Sequence, residues 1–271
     1  METVIVTGGN RGIGRAVAHA LAVQGRRVVV LARDAEQGRA AVDALAGEGH
    51  TLVVGDLSDR AGVARAAEAL LDAAPRLDVL IHNAGVWPSR RTLNADGLEL
   101  AFAVNHLAPY QLNLLLERRL TDGGARVVHV NAGLYVKGRV APEVTAVGGD
   151  FHAIRTYADT KLCNAALVPL FARRWEDAGV TVNAVHPGVV RTGLGDRSGL
   201  LGLLLRLVKR AWSDPEDGAR PVVRLAVDPA VAGITGRYFD VDREVPLADA
   251  ARDADLARRL WTQAATLTGV G

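Results

Sequence analysis

Thr3-Val4-Ile5-Val6-Thr7-Gly8-Gly9-Asn10-Arg11-Gly12-Ile13-Gly14-Arg15-Ala16-Val17 is the stretch on which the fold is decided. A β-branched run reads as a buried strand, a glycine-rich turn follows, and an alanine-rich helical stretch begins. A tight strand-to-helix turn needs residues without Cβ, so that backbone can approach a pyrophosphate and the helix N-terminus can face its charge. Gly8, Gly12 and Gly14 give the spacing G-x-x-x-G-x-G rather than the commoner G-x-G-x-x-G. Such a turn alone can be purely structural. Its place between the first strand and the first helix points to a dinucleotide site, with Asn10, Arg11 and Ile13 completing the cradle.

Outward from this turn, the same unit repeats. Strand-like runs fall at 3–7, 27–31, 51–54, 78–82, 126–130, 181–185 and 238–241. Helical windows lie between them at 14–24, 35–45, 60–73, 97–119, 157–177, 215–227 and 248–267. Alternating strands and helices predict an α/β fold: a single Rossmann-type domain over 1–271, with a doubly wound parallel sheet and helices on both faces. Runs such as Val28-Val29-Val30-Leu31 suit strands buried on both sides. Two segments interrupt the rhythm. Residues 133–156 read as a loop, and 193–214 hold an apolar helix read as a core or dimer element or a substrate lid, with an interfacial membrane helix disfavoured by its short length.

Composition excludes several classes. The chain is 49% hydrophobic and 23% charged, as expected of a globular protein with a sizeable core. Its net charge is +2 with scattered basic residues, so no nucleic-acid partner is expected. No apolar run reaches the roughly 18 residues of a membrane span, and no metal-binding set is read. Cys163 is the only cysteine, which rules out an intrachain disulfide. With no signal-peptide pattern at the N-terminus, the expected address is cytoplasmic.

The end of the second strand selects the adenosine ribose. An acidic side chain there would bind the 2′-hydroxyl of NAD, whereas this chain presents Arg33, with Arg11 placed to join it. A guanidinium fork suits a 2′-phosphate, so NADP(H) is the expected cofactor; the adjacent Asp34 would favour the hydroxyl. Tyr157 and Lys161 are four apart and share a helical face. A cation beside the phenol favours phenolate and should lower the tyrosine pKa, making it a usable acid or base.

Together these residues resemble the short-chain dehydrogenase/reductase family. Thr7–Gly14 is similar to its cofactor turn, and Asp56-Leu57 to the pair that contacts adenine. Asn83-Ala84-Gly85 matches the element that supports the sheet and lines the cofactor. Asn105 matches the asparagine that helps to hold the proton-relay water. Tyr157-Ala158-Asp159-Thr160-Lys161 matches the YxxxK pair, whose lysine also binds the nicotinamide ribose. Pro187-Gly188-Val189-Val190-Arg191-Thr192 matches the segment beside the nicotinamide, through Pro187, Gly188, Val190 and Thr192. Details around Val104-Asn105-His106-Leu107 and Val185-His186-Pro187-Gly188 resemble the retinol-dehydrogenase-like branch most.

One departure matters. The family places a serine at the end of the fifth strand to hydrogen-bond the substrate oxygen, and the alignment puts Ala132 there, with Asn131 before it. Losing a preorganised donor costs roughly 3–4 kcal/mol in comparable oxyanion sites. Replacements open from sequence are Tyr135, a substrate hydroxyl and Asn131, although strand alternation should point Asn131 away. His129 reads as a packed strand histidine. The resemblance implies an NADP(H)-dependent oxidoreductase acting on the carbonyl or alcohol of an apolar small molecule, in a homo-oligomer. Catalysis would rest on Tyr157, Lys161 and Asn105. A non-redox cyclase, dehydratase or isomerase retaining NADP, and an inactive dinucleotide sensor, are the alternatives.

Overall fold

Thr3–Thr7 forms β1, buried at all five positions. It is the parallel neighbour of both β2 (Arg27–Ala32) and β4 (Val79–His82). With β3 (Thr51–Val54), β5 (Arg126–Val130), β6 (Thr181–His186), β7 (Tyr238–Asp240) and β8 (Arg243–Val245), they make one sheet in the order β3-β2-β1-β4-β5-β6-β7-β8. This computed structural model describes residues 1–188 and 214–271. Every strand pairing is parallel except β7 with β8.

Alternation along β1 feeds two cores. Val4 and Val6 pack on one face with α1 (Gly12–Val23) and α9 (Pro215–Val227). Ile5 packs on the other with α3 (Arg60–Ala73), α5 (Ala108–Leu115) and α8 (Ala153–Arg174). Strands flanked by helices on both sides lose both faces to the core, which is why they read as continuous apolar runs. The order reverses between β1 and β4. In open α/β sheets, ligands bind in the crevice outside the carboxyl ends of the strands at such a point.

Several boundaries differ from the sequence expectation. The window at 97–119 is not one helix. It divides into α4 (Leu100–Phe102), a π-turn (Ala103–Leu107), α5 and the start of α6 (Glu117–Gly123). The Glu99 carboxylate caps α4 by accepting from the Phe102 N–H, 2.9 Å away. The long loop contains a 3-10 turn (Gly133–Lys137) and α7 (Pro142–Ala146), while α2 (Ala35–Asp43) matches its window closely. α8 starts one turn early, at Ala153, and ends at Arg174. The terminal helix splits into α10 (Asp249–Arg252) and α11 (Ala254–Thr268), where the Asp253 carboxylate caps the second piece. β8 was not expected, because its hairpin turns on Val241 at φ +55° without the usual Asn-Gly signal. Val190, Thr192 and the lid expected near 193–214 lie outside the described residues, apart from Asp214. Among the described residues, no helix is long and apolar enough to cross a membrane.

Candidate active site

The glycine-rich turn lies at the switch point and is held from β4. Thr7 Oγ1 accepts from the backbone N–H groups of Asn83 and Ala84, both at 3.0 Å. Asn83 Nδ2 donates to the carbonyls of Thr7 and Gly8 at 2.9 and 3.1 Å. A Cβ on Gly14 would stand 2.3 Å from Asn83 Nδ2 and 2.4 Å from the Gly8 carbonyl oxygen, so only glycine closes this turn. Gly8 and Gly12 both have positive φ. The N-terminus of α1 opens here with neither a side-chain cap nor an acidic residue in its first turn. By contrast, Asp34 and Asp59 cap α2 and α3. Unneutralised N–H groups and the positive end of the helix dipole fit a pyrophosphate.

At the ribose end, Arg11 and Arg33 are exposed and make no side-chain bond to any described residue. Asp34 is occupied: its carboxylate accepts from Gln37 N and Gln37 Nε2, both at 2.9 Å. Asn10 Nδ2 reaches Gln37 Oε1 at 3.3 Å and ties the turn to α2. Beyond β3, Asp56 is exposed, with Oδ1 accepting from Ser58 N, and Leu57 points into the core. These residues fit the adenosine end of a dinucleotide.

Asn105 sits in the π-turn and joins the β4 end to α8. Its Oδ1 accepts from Val86 N at 2.8 Å; its Nδ2 donates to Val86 O at 2.9 Å and Thr160 Oγ1 at 3.1 Å. Gly85 lies against it, 3.4 Å separating a Cβ there from Asn105 Oδ1. The Asn105 carbonyl accepts from Asn164 Nδ2 at 2.6 Å. Thr160 and Asn164 escaped the sequence reading, although their spacing from Tyr157 along α8 puts them near its face.

Tyr157 and Lys161 come together as expected, with Lys161 Nζ 5.6 Å from the phenol ring centroid. The expected electrostatics differ. Lys161 donates to the Val130 carbonyl at 2.9 Å, and burial pushes its pKa down to about 8. Burial also holds the Tyr157 phenol well above the usual tyrosine range, so in the chain alone desolvation outweighs the lysine charge. Part of that burial comes from Trp87. Its indole stacks on the Tyr157 ring at 4.5 Å and 11°, and its Nε1–H donates to the Ala153 carbonyl at 2.7 Å.

Ala132 is half-buried at the end of β5 and offers no hydroxyl. Both nearby protein candidates are held in place by other contacts. As strand alternation requires, Asn131 shares the α8 face of β5 with His129, and there its Nδ2 donates to the Lys161 carbonyl at 3.0 Å and its Oδ1 accepts from Ala132 N. Tyr135 is buried against Tyr238, and its hydroxyl accepts from Ala248 N at 3.0 Å. Pro187 and Gly188 follow β6, with Gly188 at φ +87°.

A dinucleotide cradle at the switch point, with a tyrosine–lysine pair over the end of β5, defines a nucleotide-dependent oxidoreductase architecture. The family model described as short chain dehydrogenase matches residues 2–199, and the chain belongs to the short-chain dehydrogenase/reductase family, in its retinol-dehydrogenase-like branch. Retinol dehydrogenase 13 from Homo sapiens is 34% identical, over 99% of this chain and 85% of that protein. A crystal structure of an uncharacterized protein from Mycobacterium Paratuberculosis superposes with a TM-score of 0.80 at 27% identity, covering 100% of this chain and 94% of that one. A blue fluorescent protein from a metagenomic library, solved in complex with NADPH, gives a TM-score of 0.69 at 26% identity, with 89% and 96% covered.

Proposed function

We propose that the protein is an NADP(H)-dependent oxidoreductase that interconverts the carbonyl and alcohol of an apolar small molecule. The observation that carries this reading is the uncapped N-terminus of α1, opening at the switch point beside two unpaired arginines. Gly8, Asn10, Arg11, Gly12, Ile13 and Gly14 would hold the pyrophosphate. Arg11 and Arg33 would hold the 2′-phosphate, and Asp56, the backbone of Leu57, Asn83, Ala84, Gly85, Pro187, Gly188, Val190 and Thr192 would line the rest. The bound nicotinamide supplies or accepts the hydride.

Tyr157 exchanges the proton with the substrate oxygen, and the Lys161 ammonium steadies the phenolate. Trp87 covers the phenol ring and keeps water from it. Asn105 spends its side chain on Val86 and Thr160, so a relay to solvent through this residue runs by way of its carbonyl, which has a second lone pair. An apolar substrate is supported by Trp87 and by Leu134, Val136 and Ile154, which lie exposed on the segments flanking Tyr157. A cytoplasmic homo-oligomer completes the reading.

With Asn131 held on α8 and Tyr135 buried against Tyr238, one alternative is favoured, a non-redox reaction in which Tyr157 works as acid and base with NADP retained. NADPH absorbance followed beside product formation, across apolar aldehydes, ketones and hydroxyketones, separates the two. Stoichiometric consumption is expected. Product without net consumption would refute the oxidoreductase reading.

A further inference from the structure

Three histidines meet beside Lys161. His82 and His129 occupy paired positions on β4 and β5, and their rings stack at 4.6 Å. His106 projects from the π-turn into the same interior, close enough that protonating it or His82, like the Lys161 ammonium, would disfavour a charge on His129. All three histidines are buried. His129 lies on the face of β5 that carries α8, one residue before Val130, whose carbonyl takes the Lys161 ammonium at 2.9 Å.

Hydrogen bonds fix much of the proton arrangement. Asn164 Nδ2 donates to the Asn105 carbonyl, so Asn164 Oδ1 faces His106 Nδ1 at 3.1 Å and accepts from it. His106 Nε2 is therefore left as an acceptor. His82 Nε2 is 2.8 Å from Asn113 Oδ1 and carries the proton there. Both nitrogens of His129, Nε2 of His106 and Nδ1 of His82 are buried without a partner. Buried polar atoms are nearly always satisfied, so this concentration in one place calls for a partner.

The buried ammonium can fill the need. An ammonium has three donors, and among the described residues Lys161 spends one, on Val130, and meets no carboxylate in an ion pair. Tyr157 lies beside it and His129 interacts with it, while Asp159 is on its own helix and the neighbouring elements carry His82 (β4), His106 (the π-turn) and His186 (β6). Burial keeps the three inner histidines neutral at physiological pH, with His82 and His106 pushed down to about 4 and His129 well below its ordinary value. A neutral imidazole adds no competing positive charge and keeps one acceptor nitrogen.

We propose that His129 is a positioning residue that holds Lys161 in its charged form, its uncommitted imidazole nitrogen taking a second Lys161 N–H through one buried water. His82, stacked on the ring, fixes its orientation, and His106 Nε2 adds a second acceptor. This rests on Lys161 being the cation that tunes Tyr157.

The chain has three lysines, Lys137, Lys161 and Lys209, so protein labelled with 13C at lysine Cε gives a small spectrum in which Lys161→Arg assigns the resonance. His129→Leu should lower the Lys161 titration midpoint by about one unit, a tenfold loss of charged lysine above it. The alkaline limb of the kcat/KM profile should move with it. His129→Asn, which restores an acceptor, should recover most of the shift. An unchanged or raised midpoint in a His129→Leu protein that still binds NADPH overturns the proposal. Should His129→Leu fail to fold, the 15N imidazole spectrum decides: the acceptor nitrogen of His129 must move in Lys161→Met, and an unmoved resonance overturns the proposal. Failure of the underlying reading looks different, because turnover would then survive Tyr157→Phe while the Lys161 midpoint still followed His129.

Discussion

Changing Arg33→Asp should turn a preference for NADPH into a preference for NADH. Arg33 is exposed and unpaired, so its removal breaks no internal bond, and the Asp34 cap on α2 stays in place. A charge-assisted contact to a phosphate contributes about 1.5–3 kcal/mol, which solvent screening at this surface reduces to about 1–2. The new carboxylate would face a 2′-phosphate and add a repulsion of about 1 kcal/mol in water-like surroundings. Together these correspond to roughly 30- to 140-fold weaker NADPH binding, since about 1.4 kcal/mol is a factor of ten. NADH, which lacks the phosphate, should bind the variant as well as or better than the parent. Calorimetry of both nucleotides with both proteins measures this directly. The preference should also shrink as salt rises, because the arginines are open to counterions. Equal affinities of the unmodified protein for NADPH and NADH would refute the reasoning, whatever the variant did.

Other expectations follow from the site. Tyr157→Phe should leave folding and NADPH binding intact and reduce turnover at least a hundredfold, the usual scale of a lost general acid; steady-state kinetics on an accepted substrate checks it. Trp87→Ala should admit water to the Tyr157 ring and bring its pKa down toward ordinary, read as phenolate absorbance that Tyr157→Phe removes; an unchanged titration would mean that the indole does not set the burial of the phenol. His82 and His106 bind protons more readily in the unfolded chain than in the fold, so stability should be full above about pH 6.5 and be lost as pH falls toward about 4. Denaturant midpoints across that range should show it, with a shallower fall in His82→Asn; a flat profile would contradict the buried neutral histidines.

The fold was legible because its strands are buried on both faces and its turns carry glycines with specific steric duties. β1 and β2 are near-continuous apolar runs, and Gly14 admits no side chain. Elements whose limits depend on tertiary contacts were less legible. The break in the 97–119 window comes from the π-turn around Asn105, whose side chain is held by Val86 and Thr160 from distant parts of the chain. β8 depends on pairing with β7 and has no apolar pattern of its own. In the site, residue types and spacing located Tyr157, Lys161 and the cradle. They could not reveal Trp87 against the tyrosine, because a loop residue finds its partner only through the path of the backbone.

Ala132 shows how one missing atom shifts weight onto the rest of the site. With a serine, a substrate oxygen would meet two donors, and the tyrosine would carry only part of the stabilisation. If Ala132 stands at the serine position, with Asn131 held on α8 and Tyr135 buried against Tyr238, the Tyr157 hydroxyl carries most of that duty among the described residues. A single donor must then be strongly acidic when it acts, yet burial under Trp87 pushes this phenol the other way. The two demands are reconciled only if a positive charge stays close through the reaction. Lys161 lies 5.6 Å from the ring centroid, but burial pulls its own pKa down to about 8, close to the range where the charge is lost. The groups that keep that lysine protonated therefore matter more here than in a site that retains the serine. That reasoning places the histidines around Lys161 within the chemistry, although none of them reaches the substrate.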